Sequence, residues 1–279
     1  MIKRIVGYGV SMMALVGILF LGLQTAQKAQ AYEAVMEKIV LQSSAKSLAK
    51  AQLQHLVKQL SFGLYKSSLK QKYQRLLKQK EALKKELLYT TRLALLMLLP
   101  LMLSYILLPL REWIGVVSLA SLGLLLLGIS MPILMVTIHQ EVRYLGDVIF
   151  SFESKGVLGS IEKLWLGGEY VIAGVMILFS FIIPLLKTLS FFAMSLFLKR
   201  AWLHKVVVAF KFLGKWSMLD VFVVALFLVY LSSNQGGVSR AEVEVGLYFF
   251  LAYVLLSLVL SLGIDRLLHR QRETASSIS

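Results

Sequence analysis

The chain has 279 residues, of which 58% are hydrophobic, with a net charge of +15 and a mean hydropathy of +0.75. Several uninterrupted apolar runs of about 20 residues exclude a soluble globule and predict an all-α, polytopic membrane protein. The absence of cysteine removes disulfides, thiolate metal sites and thiol nucleophiles together, and the four His fall at no metal-ligating spacing, so no cofactor or metal is expected. The basic residues lie beside the apolar runs, where anionic membrane lipid is a nearer partner than nucleic acid, and no nucleic acid partner is expected.

The first apolar run, Ile5 to Leu23, follows Lys3-Arg4. Its basic start and the small residues Ala26 and Ala29 to Ala31 fit a cleaved signal peptide, but about 19 apolar residues without a polar break suit a full span better. Residues 1–23 are therefore read as an uncleaved signal anchor. Residues 24–92 differ in kind, being rich in Gln, Lys, Ala and Leu and free of Pro. Apolar residues at Val35, Ile39, Leu48, Leu56, Leu60, Leu64, Leu69, Tyr73, Leu76, Leu83 and Leu87 recur at helical steps. An extramembrane helical hairpin turning near Gly63, with arms of about 45 Å, is preferred to one continuous helix of about 100 Å.

A second apolar run, Leu93 to Leu110 within residues 93–112, contains Pro100 and ends at Pro109. A third begins at Trp113 and is expected to reach Ile138, forming a tight transmembrane hairpin with the second. A polar loop is expected from His139 to Glu169. Further spans run over Tyr170 to Leu198, Ser217 to Leu231 and Val245 to Ile264, giving about six spans, with residues 271–279 as a tail.

Orientation follows from the short loops. The link from Lys199 to Lys215 carries Lys199, Arg200, Lys205, Lys211 and Lys215 without an acid, and reads as cytoplasmic, either as an ordinary loop or as an amphipathic helix on the inner leaflet. The loop from His139 to Glu169 has five acids against three bases and faces outward. Counting through the spans places both termini in the cytoplasm and residues 24–92 outside. That segment carries 12 Lys and 2 Arg against 4 Glu, which opposes the placement, but the charge rule weakens for translocated regions beyond about 60 residues.

Within the membrane, Lys187 stands out because a cation at bilayer depth costs roughly 2.5 to 3.5 kcal/mol on insertion scales. Ser180, Pro184 and Lys187 share a helical face, and Pro184 frees the carbonyl of Ser180. Snorkelling is strained, since Lys199 lies about 18 Å further along the helix and a lysine stem reaches only about 6 Å. The next span opens Trp216-Ser217-Met218-Leu219-Asp220. Asp220 is a counter-charge for Lys187 or the acid of a capping box begun by Ser217, and the two roles are compatible.

Four features carry a resemblance: Ser180 through Lys187; Trp216 through Phe222 (WSMLDVF); Gly159-Ser160-Ile161 with Leu164-Trp165; and Met131-Pro132. Together they resemble the transmembrane domain of the paraquat-inducible protein A family, over about residues 113–270. The resemblance implies a four-span domain in the bacterial inner membrane. It implies a partnership with a mammalian-cell-entry-domain periplasmic tunnel protein in lipid transport that preserves the envelope. It also implies a polar network of Ser180, Lys187, Ser217, Asp220 and Ser261, with Pro184 shaping the helix, able to relay protons while lipid is loaded. Better-known relatives carry two copies of the domain and cysteine-rich zinc ribbons; one copy without cysteine suggests a homo-oligomer. The rival expectation is a membrane scaffold or envelope-stress signalling protein acting through the hairpin. An enzyme is not expected, because no nucleophile and base stand at a suggestive spacing.

Overall fold

The structure, a computed structural model, describes residues 2–43, 68–142, 146–196 and 239–276. Among these, five helical segments are long and apolar enough to cross a membrane: Ile2–Leu41, Gln71–Ile106, Leu110–Ser130, Tyr170–Leu196 and Val245–Leu267. The chain is thus a multi-pass, predominantly helical membrane protein. The expected span from Ser217 to Leu231, the basic link from Lys199 to Lys215 and the turn near Gly63 lie outside the described residues.

Helix α1, Ile2–Ser43, is apolar to Leu23 and amphipathic beyond it. Its 42 residues cover about 63 Å, twice the hydrocarbon thickness, so its second half stands clear of the bilayer. Helix α2, Ser68–Leu96, runs back beside it and continues into the short α3, Leu98–Leu103, and a 3₁₀ turn at Ser104–Ile106. The direction is antiparallel throughout. A Cβ at Gly7 would meet Leu107 and Leu108, and one at Gly17 would meet Met97. Further out, the Thr25 and Thr90 hydroxyls are 3.2 Å apart and Lys28 pairs with Glu86 at 3.2 Å. Pro100 falls in α3 just after the break at Met97, and having no N–H it gives no helical bond to the carbonyl of Leu96.

Pro109, in extended conformation at φ −57° and ψ 142°, starts α4, Leu110–Ser130, with Glu112 in its first turn facing the helix dipole. The third span ends eight residues short of the expected Ile138. Pro132 opens strand β1, Pro132–Val142, which pairs antiparallel with β2, Gly146–Gly156. Strand β3, Ser239–Val243, adds to the other edge of β1 in the order β2-β1-β3. The polar loop is therefore half sheet. Helix α5, Val157–Leu166, follows it, then the fourth described span: α6, Tyr170–Ile177, a π-wide turn at Leu178–Ile182, and α7, Ile183–Leu196. Helix α8, Val245–Ser276, ends the chain's described part.

The sheet sits on the extramembrane half of the α1–α2 pair. Tyr32, Met36 and Ile39 of α1, Tyr73 of α2, Met135 of β1 and Ile149 of β2 form a buried apolar cluster. Tyr73 accepts a hydrogen bond from the backbone N–H of Ile149 at 3.2 Å. Polar contacts rim it: Lys84 of α2 pairs with Glu242 of β3, and Ser154 of β2 donates to Glu33 of α1. The helical pair, the sheet and the start of α8 therefore share one side of the membrane.

Glu244 closes this junction from the residue before α8. It is 4% exposed, and among the described residues neither its Oε1 nor the buried Tyr32 hydroxyl has a hydrogen-bond partner. Burial pushes the Glu244 carboxyl up to about 7; Lys84 and Lys80 of α2 oppose the rise, while Glu242 and Glu33 add to it. A free glutamate titrates near 4.5. Burial of the protonated form thus favours the docked junction fully below about pH 4.5, and that contribution is lost as pH rises through about 7. Glu244→Gln should flatten this slope and leave the protein more heat-stable than the natural sequence at pH 8. Thermal unfolding in detergent at pH 5 and pH 8 measures it; an unchanged slope in the variant would refute the assignment to Glu244.

Candidate functional site

Pro184 organises the fourth described span. Having no N–H and a ring that crowds the carbonyl four residues back, it cannot continue a regular α-helix through Ser180. The helix widens instead into the π turn at Leu178–Ile182, where the N–H of Ile183 reaches the carbonyl of Leu178. The Pro184 carbonyl in turn accepts the Thr188 hydroxyl at 2.9 Å and the Tyr253 hydroxyl of α8 at 3.3 Å. The second of these bonds joins α7 to α8 in the bilayer interior.

Lys187 lies one turn on, 5% exposed, with its ammonium 5.8 Å from the Phe191 ring centroid in a cation–π contact. It is enclosed by protein and lies about 13 Å along the helix from Leu196. There Arg111 of α4 donates from Nε to the Ser195 carbonyl and from a terminal nitrogen to the Leu196 carbonyl, both at 2.6 Å.

Close packing sets the depth of neighbouring groups. A Cβ at Gly115 would come within 2.7 Å of the Ser195 hydroxyl, so α4 and α7 touch there. Six steps along α4 reach Ser121 and seven back along α7 reach Thr188, both about 10 Å away. On the other face of α4, Gly128 meets the backbone of Phe250, and Ser257 of α8 and Ser121 each lie seven residues from that contact. Ser121, Thr188 and Ser257, each at most 3% exposed, therefore share one depth with Lys187, and the Ser121 hydroxyl has no hydrogen-bond partner among the described residues.

Of the six residues singled out in the sequence, Pro184 and Lys187 are buried in this interior. Ser180, in the π turn, and Ser261, two turns beyond Tyr253, are half-buried and make no side-chain hydrogen bond to a described residue. Ser217 and Asp220 lie outside the described residues. Ser121, Thr188, Tyr253 and Ser257 escaped the sequence reading. The i, i+4 step from Tyr253 through Ser257 to Ser261 on an otherwise apolar helix is the signal that would have found α8's share. No group of three or more metal-ligating side chains occurs among the described residues.

Residues 111–272, more than half of the chain, match the family described as paraquat-inducible protein A. The chain is 26% identical over 145 residues to the intermembrane transport protein PqiA of Escherichia coli (strain K12), covering 47% of this chain and 32% of that protein. The same identity and coverage hold for the protein of that name in Shigella flexneri. The chain thus matches about a third of the length of these relatives. No solved structure matches it.

The packing that aligns these polar groups depends on Gly128. A Cβ there would stand 2.7 Å from the backbone nitrogen and 2.9 Å from the Cα of Phe250, so α4 and α8 would have to separate. Gly128→Ala should cost about 1 to 3 kcal/mol. Its melting temperature in detergent should fall below that of Gly174→Ala, whose Cβ meets nothing within 4 Å.

Proposed function

Since the chain belongs to the paraquat-inducible protein A family, we propose that it is a non-enzymatic subunit of an envelope lipid-transport system in the bacterial inner membrane. It passes phospholipid-like amphiphiles to a mammalian-cell-entry-domain tunnel protein, and the buried polar group around Lys187 serves the loading step. The observation that carries this reading is Lys187 itself. A cation kept within a helix bundle, beside a carbonyl that ties two spans together and at the depth of a Ser121 hydroxyl without a partner among the described residues, is costly to retain unless it acts. An ammonium can hold a phosphate while a helix slides past it, or take and give a proton as its surroundings change, and Ser180, Ser217, Asp220 and Ser261 would extend either path. The name of the Escherichia coli relative, an intermembrane transport protein, supports the transport class.

The extramembrane body supports a docking role. The helical pair and sheet form one packed unit on one membrane side, and the net basic character of residues 24–92 suits an acidic partner surface. Orientation enters as part of the proposal: this unit faces outward and both termini lie in the cytoplasm. A second copy of the chain supplies the domain that two-copy relatives carry in one polypeptide.

In a deletion strain, Lys187→Ala and Asp220→Ala should each fail to restore the envelope's barrier to a hydrophobic dye at normal expression, whereas Lys187→Arg retains part of it. Full complementation by both alanine variants would sink the polar-network mechanism and favour a scaffold working through the extramembrane helices. For orientation, a membrane-impermeant maleimide on intact cells with a permeabilised outer membrane should label Lys38→Cys, exposed on the outer half of α1, and spare Lys3→Cys. The reverse pattern would invert the topology.

A further inference from the structure

At the membrane edge opposite the sheet, a cavity of about 250 Å³ opens between the 3₁₀ turn after α3, the start of α4 and the end of α8. Tyr105, Leu110 and Trp113 form one wall, and Val259, Leu262 and Arg266 the other. Gly263 lies between the walls, where a Cβ would meet Trp113 and Ile114 at ordinary contact distances of 3.6 to 3.8 Å. The aromatic wall is fixed in place. The Trp113 indole N–H donates to the Leu101 carbonyl at 3.2 Å, and its ring meets Tyr105 edge to face at 5.3 Å. The opening looks outward from the bundle, since Leu262 is 64% exposed and Tyr105 42% exposed. Arg266 is exposed, and no carboxylate pairs with it among the described residues.

We propose that this cavity binds an anionic phospholipid, with a segment of acyl chain against the apolar wall and the phosphate on the Arg266 guanidinium. The volume is below that of sites which enclose a whole drug-sized ligand, so it takes part of a chain and not an entire amphiphile. Trp and Tyr at the edge of hydrocarbon mark headgroup depth, and a planar guanidinium fork matches phosphate oxygens. A free phosphate would leave the apolar wall without a purpose, and a zwitterionic lipid would gain less from one cation. The inference deepens the transport reading, on which it rests only for the lipid's purpose: it places a lipid at the inner mouth of the bundle, about 13 Å along α8 from Ser257.

The test uses the full chain with Trp165, Trp202 and Trp216 each changed to Phe, leaving Trp113 as the reporter. Reconstituted in phosphatidylcholine vesicles, it should be quenched by brominated phosphatidylglycerol with about fivefold preference over brominated phosphatidylcholine. Arg266→Ala should bring that ratio near one, Arg266→Lys should keep most of it, and Val259→Phe should reduce quenching by both lipids. Equal quenching by the two lipids in the reporter chain, or an unchanged ratio in Arg266→Ala, means ordinary surrounding lipid and overturns the site. Loss of the preference on adding excess inorganic phosphate assigns the cation to free phosphate and overturns it too. Should the triple Phe chain not fold, phosphatidylglycerol with a photoactivatable chain is applied to the natural sequence. Crosslinks within residues 102–113 or 259–266 then support the site, and their absence refutes it. Complementation by Lys187 variants is scored separately, so failure here leaves the transport reading standing and failure there leaves this site standing.

Discussion

The Pro184 carbonyl oxygen is the point on which the membrane interior depends. In hydrocarbon a backbone acceptor without a donor costs several kcal/mol, so a proline that disrupts a helix must have its freed groups satisfied by neighbours. Here the helix widens over Leu178–Ile182, where the Ile183 N–H reaches the Leu178 carbonyl, and the Pro184 oxygen, an acceptor in any helix, takes the Thr188 and Tyr253 hydroxyls. The Tyr253 bond brings α8 against α7. α4 packs on α7 through Gly115 and on α8 through Gly128, and Lys187 of α7 is 5% exposed.

The same helix, α8, joins this interior to the extramembrane body. Gly246 leaves no room for a side chain, since a Cβ would stand 2.6 Å from the Pro132 carbonyl oxygen. The start of α8 is thereby pressed against the start of β1, and the Glu244 N–H donates to the Ile133 carbonyl at 2.9 Å. Sheet, helical pair and α8 meet within a few residues of a carboxyl that burial holds near neutrality. A change in how α1 and α2 sit on the sheet must therefore be felt at the head of the span that carries Tyr253 and Ser257.

Much of this was legible in residue order, and the exceptions have physical causes. The spans from Ile5, Trp113, Tyr170 and Val245 announce themselves by uninterrupted apolar length, and the WSMLDVF and Pro-Lys signatures identify the family. The helical steps from Val35 to Leu87 mark the faces that α1 and α2 bury. The sheet was hidden because Pro132-Ile133-Leu134-Met135-Val136-Thr137-Ile138 is as apolar as the helix before it, and periodicity cannot separate a short buried strand from helix. Pro132, which cannot extend a helix already bonded behind it, was the available sign. β3 was invisible because five residues with two charges derive their strand character from pairing with β1. Tyr253, Ser257 and Ser121 were missed since a hydroxyl in an apolar span has the same hydropathy whether it faces lipid or a proline carbonyl on another helix.

Polar groups along α8 fall at three separated levels, and their spacing bears on how an amphiphile could cross. Glu244 stands at the sheet end, Tyr253 and Ser257 in the interior, and Arg266 at the opposite end. The steps between levels are about 13 Å, and the whole run of 22 residues covers about 33 Å, close to one hydrocarbon thickness. A phosphate held at Arg266 is therefore about 13 Å along the bundle from Lys187's level, farther than the roughly 6 to 7 Å that either side chain reaches alone. Transfer between them requires either the lipid or the helices to move by roughly a turn or two. The π-wide turn at Leu178–Ile182 is the one place in α6 and α7 where the regular bond ladder is already broken, and there a helix can change its register at least cost.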